Sequence, residues 1–171
     1  MSLDILIINE EGGESLQKIS IYENAYNFGM QSTNPETLDL SGRKSGVEVF
    51  RKNIAKIKKV QPDAEFSFDL LYGMPGDNFY HFRNTADFAL SLSPRRVYFS
   101  NLLLLPGTPY WDDREKHGFQ YLDEPPYLVS ANNTFSVEDM ERSREFALSV
   151  LHVLYFHSLR EIGRASCRER V

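Results

Sequence analysis

Tyr26-Asn27-Phe28-Gly29-Met30-Gln31-Ser32 is the stretch whose reading decides the fold. Small and aromatic residues run up to Gly29-Met30, and Gln31-Ser32-Thr33-Asn34-Pro35 stops the run. This predicts a short strand over 25–30. Two more strands are expected at wide intervals, 65–71 and 96–105. Each ends in its own turn, Gly73-Met74-Pro75-Gly76 and Pro106-Gly107-Thr108. A helix-patterned segment lies between each pair. Strand and helix in alternation, with polar groups at the strand exits, is the picture of a parallel α/β sheet with a site along one rim.

The helices have their own signals. Asn34 is placed to cap a brief helical turn with Pro35 at its first position, ending near Gly42. Val47, Phe50, Ile54 and Ile57 recur at helical spacing, which predicts an amphipathic helix over 46–60. Its basic residues, Arg51, Lys52, Lys56, Lys58 and Lys59, read as a solvated face rather than a binding patch. Asp77 is expected to cap the next helix, with Phe79, Phe82, Thr85, Ala86, Phe88, Ala89 and Leu92 on its buried side. Leu102-Leu103-Leu104-Leu105 fits the end of a strand buried on both faces. After residue 110 the character changes. A short polar helix is expected over 111–117, an irregular stretch over 118–133, and a long helix from Ser136. Ser136 with Asp139 is close to a capping box. Met140, Phe146, Ala147, Val150, Leu151 and Leu154 would form that helix's apolar stripe.

Composition narrows the function classes. Hydrophobic residues make up 42% and charged residues 25% of the chain, which suits a globular core and excludes disorder. The net charge of -5, without a basic block, argues against a dedicated nucleic-acid surface. No apolar run approaches the roughly 20 residues of a membrane helix. The start lacks the basic flank of a signal peptide, so a cytoplasmic protein is expected. Cys167 is the only cysteine, which rules out an intrachain disulfide and a cysteine-held metal site. Residues 162–171 resemble translated adaptor or vector sequence. The expected organisation is an uncertain segment at 1–24, an α/β unit at 25–110, a mostly helical appendage at 111–161 and a scar beyond.

A parallel sheet gathers its strand C-termini on one rim. That rim would carry Gln31 and Ser32, then Asp69, then the backbone of 105–108. Arg43 follows the first strand and can fold back over it. A guanidinium grips a carboxylate bidentately, and an aspartate accepts from vicinal hydroxyls. The set suits a small zwitterionic ligand with sugar hydroxyls. Asp69, between Phe68 and Leu70, is either a binding group or one half of a structural pair. Gln31-Ser32 either binds or caps the next turn. His81, His117, His152 and His157 are scattered and read as packing or surface residues. No catalytic dyad, metal-ligand spacing or glycine-rich phosphate loop is present.

Phe28-Gly29-Met30-Gln31-Ser32-Thr33-Asn34-Pro35, Gly42-Arg43, Phe68-Asp69-Leu70-Leu71-Tyr72-Gly73-Met74-Pro75-Gly76 and Leu104-Leu105-Pro106-Gly107-Thr108, in that order, resemble the second half of a radical S-adenosylmethionine (radical SAM) enzyme core. The group with an N-terminal cobalamin (B12)-binding domain is the most similar. Residues 121–127 and the helix from Ser136 resemble the domain that follows the core in some members. The resemblance implies a partial (β/α) TIM-like barrel. It implies a parent that binds a [4Fe-4S] cluster through a Cys-x3-Cys-x2-Cys loop and cleaves S-adenosylmethionine to a 5′-deoxyadenosyl radical, with cobalamin as a further cofactor of that parent. It also places Gln31 and Arg43, with Ser32 beside them, at the methionyl part of the cofactor, Asp69 at the ribose, and the backbone near Leu105 at the adenine. The cysteine loop is absent, and Asn27 replaces the usual acidic residue of the first motif. Gly12-Gly13-Glu14 is similar to a family motif but lies too close to Gln31 to serve in its place. Two readings follow: an enzyme fragment that supplies part of the cofactor wall and is inactive alone, or a non-catalytic α/β nucleoside-binding module without a cluster.

Overall fold

The computed structural model describes the backbone at 2–8, 14–20, 25–43 and 46–168, with side-chain surroundings for 25–43, 46–154 and 156. Gly12 and Gly13 of the Gly-Gly-Glu motif lie outside these residues. So do the side chains of the adaptor-like tail and of His157.

Strands β1 (Ser2–Ile8) and β2 (Glu14–Ser20) pair antiparallel, Ser2 opposite Ser20 and Ile8 opposite Glu14. The central element is a three-stranded parallel sheet in the order β3-β4-β5: β3 (Ala25–Gln31), β4 (Glu65–Tyr72) and β5 (Arg96–Asn101). Helices α1 (Pro35–Leu40) and α2 (Val47–Val60) connect β3 to β4, and α3 (Phe79–Ser91) connects β4 to β5. The α/β class expected from the strand–helix alternation is therefore present. Strand neighbours follow chain order, with no reversal of direction in the sheet.

β4 shows why these residues form a central strand. Phe66, Phe68, Leu70 and Tyr72 are all buried on one face, while Ser67, Asp69 and Leu71 alternate onto the other. Phe66 stacks on Tyr26 and Phe28 at centroid distances of 5.8 and 6.1 Å. Ile54 and Ile57 of α2 and Phe82, Ala86 and Ala89 of α3 close the core over that face. Each fully buried phenylalanine contributes about 1.5–3 kcal/mol. Tyr26 keeps its hydroxyl satisfied by donating to Gln61 Oε1 at 2.7 Å.

Four expectations need correction. Asp77 does not cap α3; Asn78 does, accepting from the His81 amide through Oδ1 at 3.0 Å. The four leucines are not buried on both faces: β5 stops at Asn101, Leu102 and Leu104 are buried, and Leu103 and Leu105 are exposed. Among the described residues only alternate leucines reach the core, so one face of this run stays open. The short helix α4 spans Pro109–Asp112 instead of 111–117, because Thr108 caps it and Pro109 fixes its first position. Residues 118–133 are not wholly irregular, since β6 (Gln120–Tyr121) pairs antiparallel with β7 (Val129–Ala131).

Helix α5 (Val137–Arg168) begins as expected, with Ser136 Oγ accepting from the Asp139 amide at 3.1 Å. Its buried contacts come from Met140, Ser143 and Ala147. Leu104, Val129, Phe135 and Met140 belong to the same core as β4, and Val129 donates its amide to Leu102 O at 3.1 Å. Residues on both sides of 110 thus share one apolar interior.

Candidate functional site

The rim is built at the exit of β3. Met30 turns into the core, and the pairing with β4 slips between Gly29 and Gln31. Gln31 takes φ 61°, a left-handed conformation unusual for a residue with a side chain. Such strain concentrates at binding sites and persists only where surrounding structure enforces it. Its side-chain amide lies over Gly29, 3.6 Å from where a Cβ would stand.

Arg43 reaches the same glycine from another element. Helix α1 ends in a Schellman motif: Gly42, at φ 71°, donates to Asp39 O at 3.1 Å, and Arg43 donates to Leu38 O at 2.8 Å. That reversal aims Arg43 back over the sheet, where Nη1 donates to Gly29 O at 3.1 Å. Gln31 and Arg43 therefore converge on one point.

Both residues line a cleft of about 530 Å³. Its polar end holds Gln31, Ser41, Arg43 and Tyr110; Leu71, Met74 and Leu102 give it an apolar floor. A second hollow, about 400 Å³, lies along the open face of the sheet and is lined by Asn27, Ser67, Asp69 and Tyr98. Asp69 Oδ2 accepts from Asn27 Nδ2 at 2.8 Å, so Asn27, standing where an acid was expected, serves as its partner. Asp69 and Leu71 are two residues, about 7 Å, apart on β4 and share a face; Leu71 lines the first hollow and Asp69 the second.

The other expected site residues sit elsewhere. Ser32 is buried; its hydroxyl donates to Asp77 Oδ2 at 2.9 Å and accepts from the Asn34 amide at 3.1 Å. It anchors the loop beneath the rim. Leu105 is exposed, and its carbonyl accepts from the Thr108 hydroxyl at 2.7 Å, which closes the Pro106-Gly107 turn.

The sequence reading missed Tyr110 and gave Asp77 a different role, that of a helix cap. Tyr110 was hidden because nothing in its sequence surroundings marks it as a partner of Ser41 and Arg43, which lie far earlier in the chain. Burial raises its phenol above the ordinary range, while Ser41 and Arg43 pull the other way. Asp77 is fully buried, and burial pushes its carboxyl up to about 6 against the bonds from Ser32 and the Asn78 amide and the charge of His81. Around it, Asn34 Nδ2 donates to Gly76 O at 2.7 Å, and Gly76 donates to Thr134 Oγ1 at 2.9 Å. This network ties the β3 exit, the Gly73–Gly76 turn and the segment before α5 together.

The three histidines with described side chains serve packing and local bonding: His81 Nδ1 lies 2.9 Å from Asn34 Nδ2, and the rings of His117 and His152 pack on Tyr110 and Phe156. Among the described residues no group of three His, Cys, Asp or Glu could hold a metal ion, and no helix is long and apolar enough to cross a membrane.

No family model matches the chain. A tRNA-2-methylthio-N(6)-dimethylallyladenosine synthase from Acinetobacter baumannii (strain AYE) is 31% identical over 83 residues, 48% of this chain and 17% of that protein. The threonylcarbamoyladenosine tRNA methylthiotransferase MtaB of Thermotoga maritima is 27% identical over 82 residues, 48% of this chain and 19% of its own length. A tRNA-2-methylthio-N(6)-dimethylallyladenosine synthase from Ehrlichia canis is 24% identical over 120 residues, 70% of this chain and 25% of that protein. The matches thus span a quarter or less of these relatives. Among solved structures, the radical SAM enzyme coproporphyrinogen III oxidase (HemN) from Escherichia coli aligns with a TM-score of 0.39 at 22% identity, over 46% of this chain and 19% of the other.

Proposed function

We propose that this chain, a sequence relative of radical SAM tRNA methylthiotransferases, supplies part of the S-adenosylmethionine-binding wall of a radical SAM enzyme. The observation that carries the reading is the convergence of Gln31 and Arg43 on Gly29 beside the cleft, with Asp69 on the neighbouring strand in register with Gly29. Arg43 meets the carboxylate of the methionyl part, Gln31 lies beside that part, and Asp69 accepts from the ribose hydroxyls. Asp69 has one oxygen engaged by Asn27 and the other to offer.

The unreversed strand order suits a segment of a (β/α) barrel, in which each strand pairs with the next in sequence. The chain's single cysteine does not fit a three-cysteine [4Fe-4S] site, so no reductive step is assigned to these residues. In the parent, the cluster would supply the electron that cleaves S-adenosylmethionine; this chain binds and orients the cofactor. Cobalamin in the parent rests on the motif resemblance alone. The matched relatives are named for modified adenosines of tRNA, and a tRNA adenosine is the proposed substrate class of the parent. The net charge of -5 supports a role for this chain in the cofactor wall rather than in gripping RNA.

The test is calorimetry on the whole chain with S-adenosylhomocysteine, a stable analogue of the cofactor. Arg43→Ala and Asp69→Ala should each weaken binding about tenfold or more, as expected for a lost bond to a charged group. Lys59→Ala, on the exposed face of α2, should leave it unchanged. Equal effects of Asp69→Ala and Lys59→Ala would remove Asp69 from the site. Binding by a chain free of iron is common to this reading and to that of a cluster-free binding module. Restoring activity to a parent enzyme that lacks this segment separates them, since only a cofactor wall can do so.

A further inference from the structure

Tyr110 stands outside every motif that carries the radical SAM resemblance, yet it forms one wall of the cleft. Local structure fixes it there. Thr108 Oγ1 accepts from the Trp111 amide at 3.3 Å, and Pro109 sets the backbone immediately before Tyr110. The Tyr110 ring packs edgewise on His117 at 5.8 Å and on Phe119 at 5.9 Å. Its phenol oxygen is buried, and among the described residues none pairs with it in good geometry. A buried hydroxyl left without a partner is costly and calls for an explanation, such as a ligand that completes it. Ser41 lies within loose hydrogen-bonding reach of the phenol but outside good bonding geometry, and Arg43 acts on it through its charge. Ser41 already donates its own hydroxyl to Leu38 O at 3.0 Å, and Arg43 has one N–H committed to Gly29.

We propose that Tyr110 determines the specificity of the cleft for an amino-acid-bearing nucleoside, its hydroxyl donating to the same carboxylate that Arg43 holds. This deepens the cofactor reading above and rests on it. Among the described residues the cleft contains one guanidinium, which balances a monoanionic carboxylate and would leave a phosphate dianion half compensated. Asp39 also lines the cleft and offers a carboxylate to the α-ammonium of the same zwitterionic head. A carboxylate has about four acceptor positions, enough for a guanidinium fork and a phenol together. The raised phenol keeps the donor proton in place at neutral pH.

Two probes separate the head group from the nucleoside: S-adenosylhomocysteine carries the amino acid, and 5′-methylthioadenosine lacks it. Trp111, the only tryptophan and the residue after Tyr110, provides an optical readout beside calorimetry. Tyr110→Phe keeps the ring packing and removes only the hydroxyl. Its affinity for S-adenosylhomocysteine should fall about tenfold, the lower end for a bond to a charged group, with 5′-methylthioadenosine unaffected. Equal affinity of variant and wild type for both probes would overturn the proposal. An equal loss for both would also overturn it, since that marks a packing residue. Should Arg43→Ala lose S-adenosylhomocysteine while Tyr110→Phe does not, the cofactor reading stands and the role of Tyr110 falls. A wild-type chain that binds neither probe overturns both.

Discussion

Asp77 combines full burial with a carboxyl held near pH 6, and that combination has a measurable consequence. Its folded-state value is raised from an ordinary 3.8, so the fold favours the neutral form. The associated stability is complete below about pH 4 and is lost as pH rises through about 6. The full span corresponds to about 3 kcal/mol. Asparagine keeps an oxygen to accept from Ser32 and never ionises. Asp77→Asn should therefore gain on the wild type by about 1–3 kcal/mol between pH 4.5 and pH 8, measured by urea denaturation at both. A stability difference that is the same at the two pH values would refute the assignment. At this scale the sequence was legible where a side chain acts on its own neighbours: Asn34 caps α1 and Ser136 caps α5, as their spacing predicts. It misled at Asp77, because an aspartate before a helix looks like a cap. Only the partner 45 residues earlier, Ser32, shows that the carboxylate faces inward.

The short helix α1 matters for how it stops. Gly42 adopts φ 71°, and no heavy atom of the described residues lies within 4 Å of the point where a Cβ would stand, so a side chain there meets a backbone penalty rather than a clash. Gly42→Ala should cost about 1 kcal/mol, and Gly42→Asn less, since asparagine tolerates the left-handed region. Both are readable by urea denaturation; a larger loss for asparagine than for alanine would contradict the Schellman ending. Because Arg43 is the next residue, Gly42→Ala should also weaken S-adenosylhomocysteine binding. Elements were legible wherever one period dominated. β4 alternates cleanly, and α2 buries Ile54 and Ile57 as the helical spacing requires. The run Leu102–Leu105 was not, since four identical residues carry no period and suit a one-faced strand exit equally well. The pair β6 and β7 was missed because strands of two and three residues carry almost no pattern.

At the scale of the whole molecule, β4 is the only strand of the parallel sheet with a neighbour on both sides among the described residues. β3 and β5 each present an outer edge, and unpaired edges template association with other chains. The sheet's second face is also open, with Tyr98 43% exposed beside Asp69. In a closed barrel, further strands would cover these edges. A separate apolar surface lies on α5, where Leu148, Val153 and Phe156 are at least half exposed. The two surfaces predict different behaviour. If the sheet edges dominate, the isolated chain should self-associate with concentration in sedimentation velocity, and a Leu148→Lys, Val153→Lys double variant should associate just as strongly. If α5 dominates, that variant should be monomeric. Binding of S-adenosylhomocysteine would not relieve association through the edges, because the cleft at Gln31, Arg43 and Tyr110 leaves the outer edge of β5 bare. A sharp, reversible thermal transition from a monomer at all concentrations would contradict the barrel-segment reading. It would favour instead a self-sufficient module in which β6, β7 and α5 complete the core alongside β5.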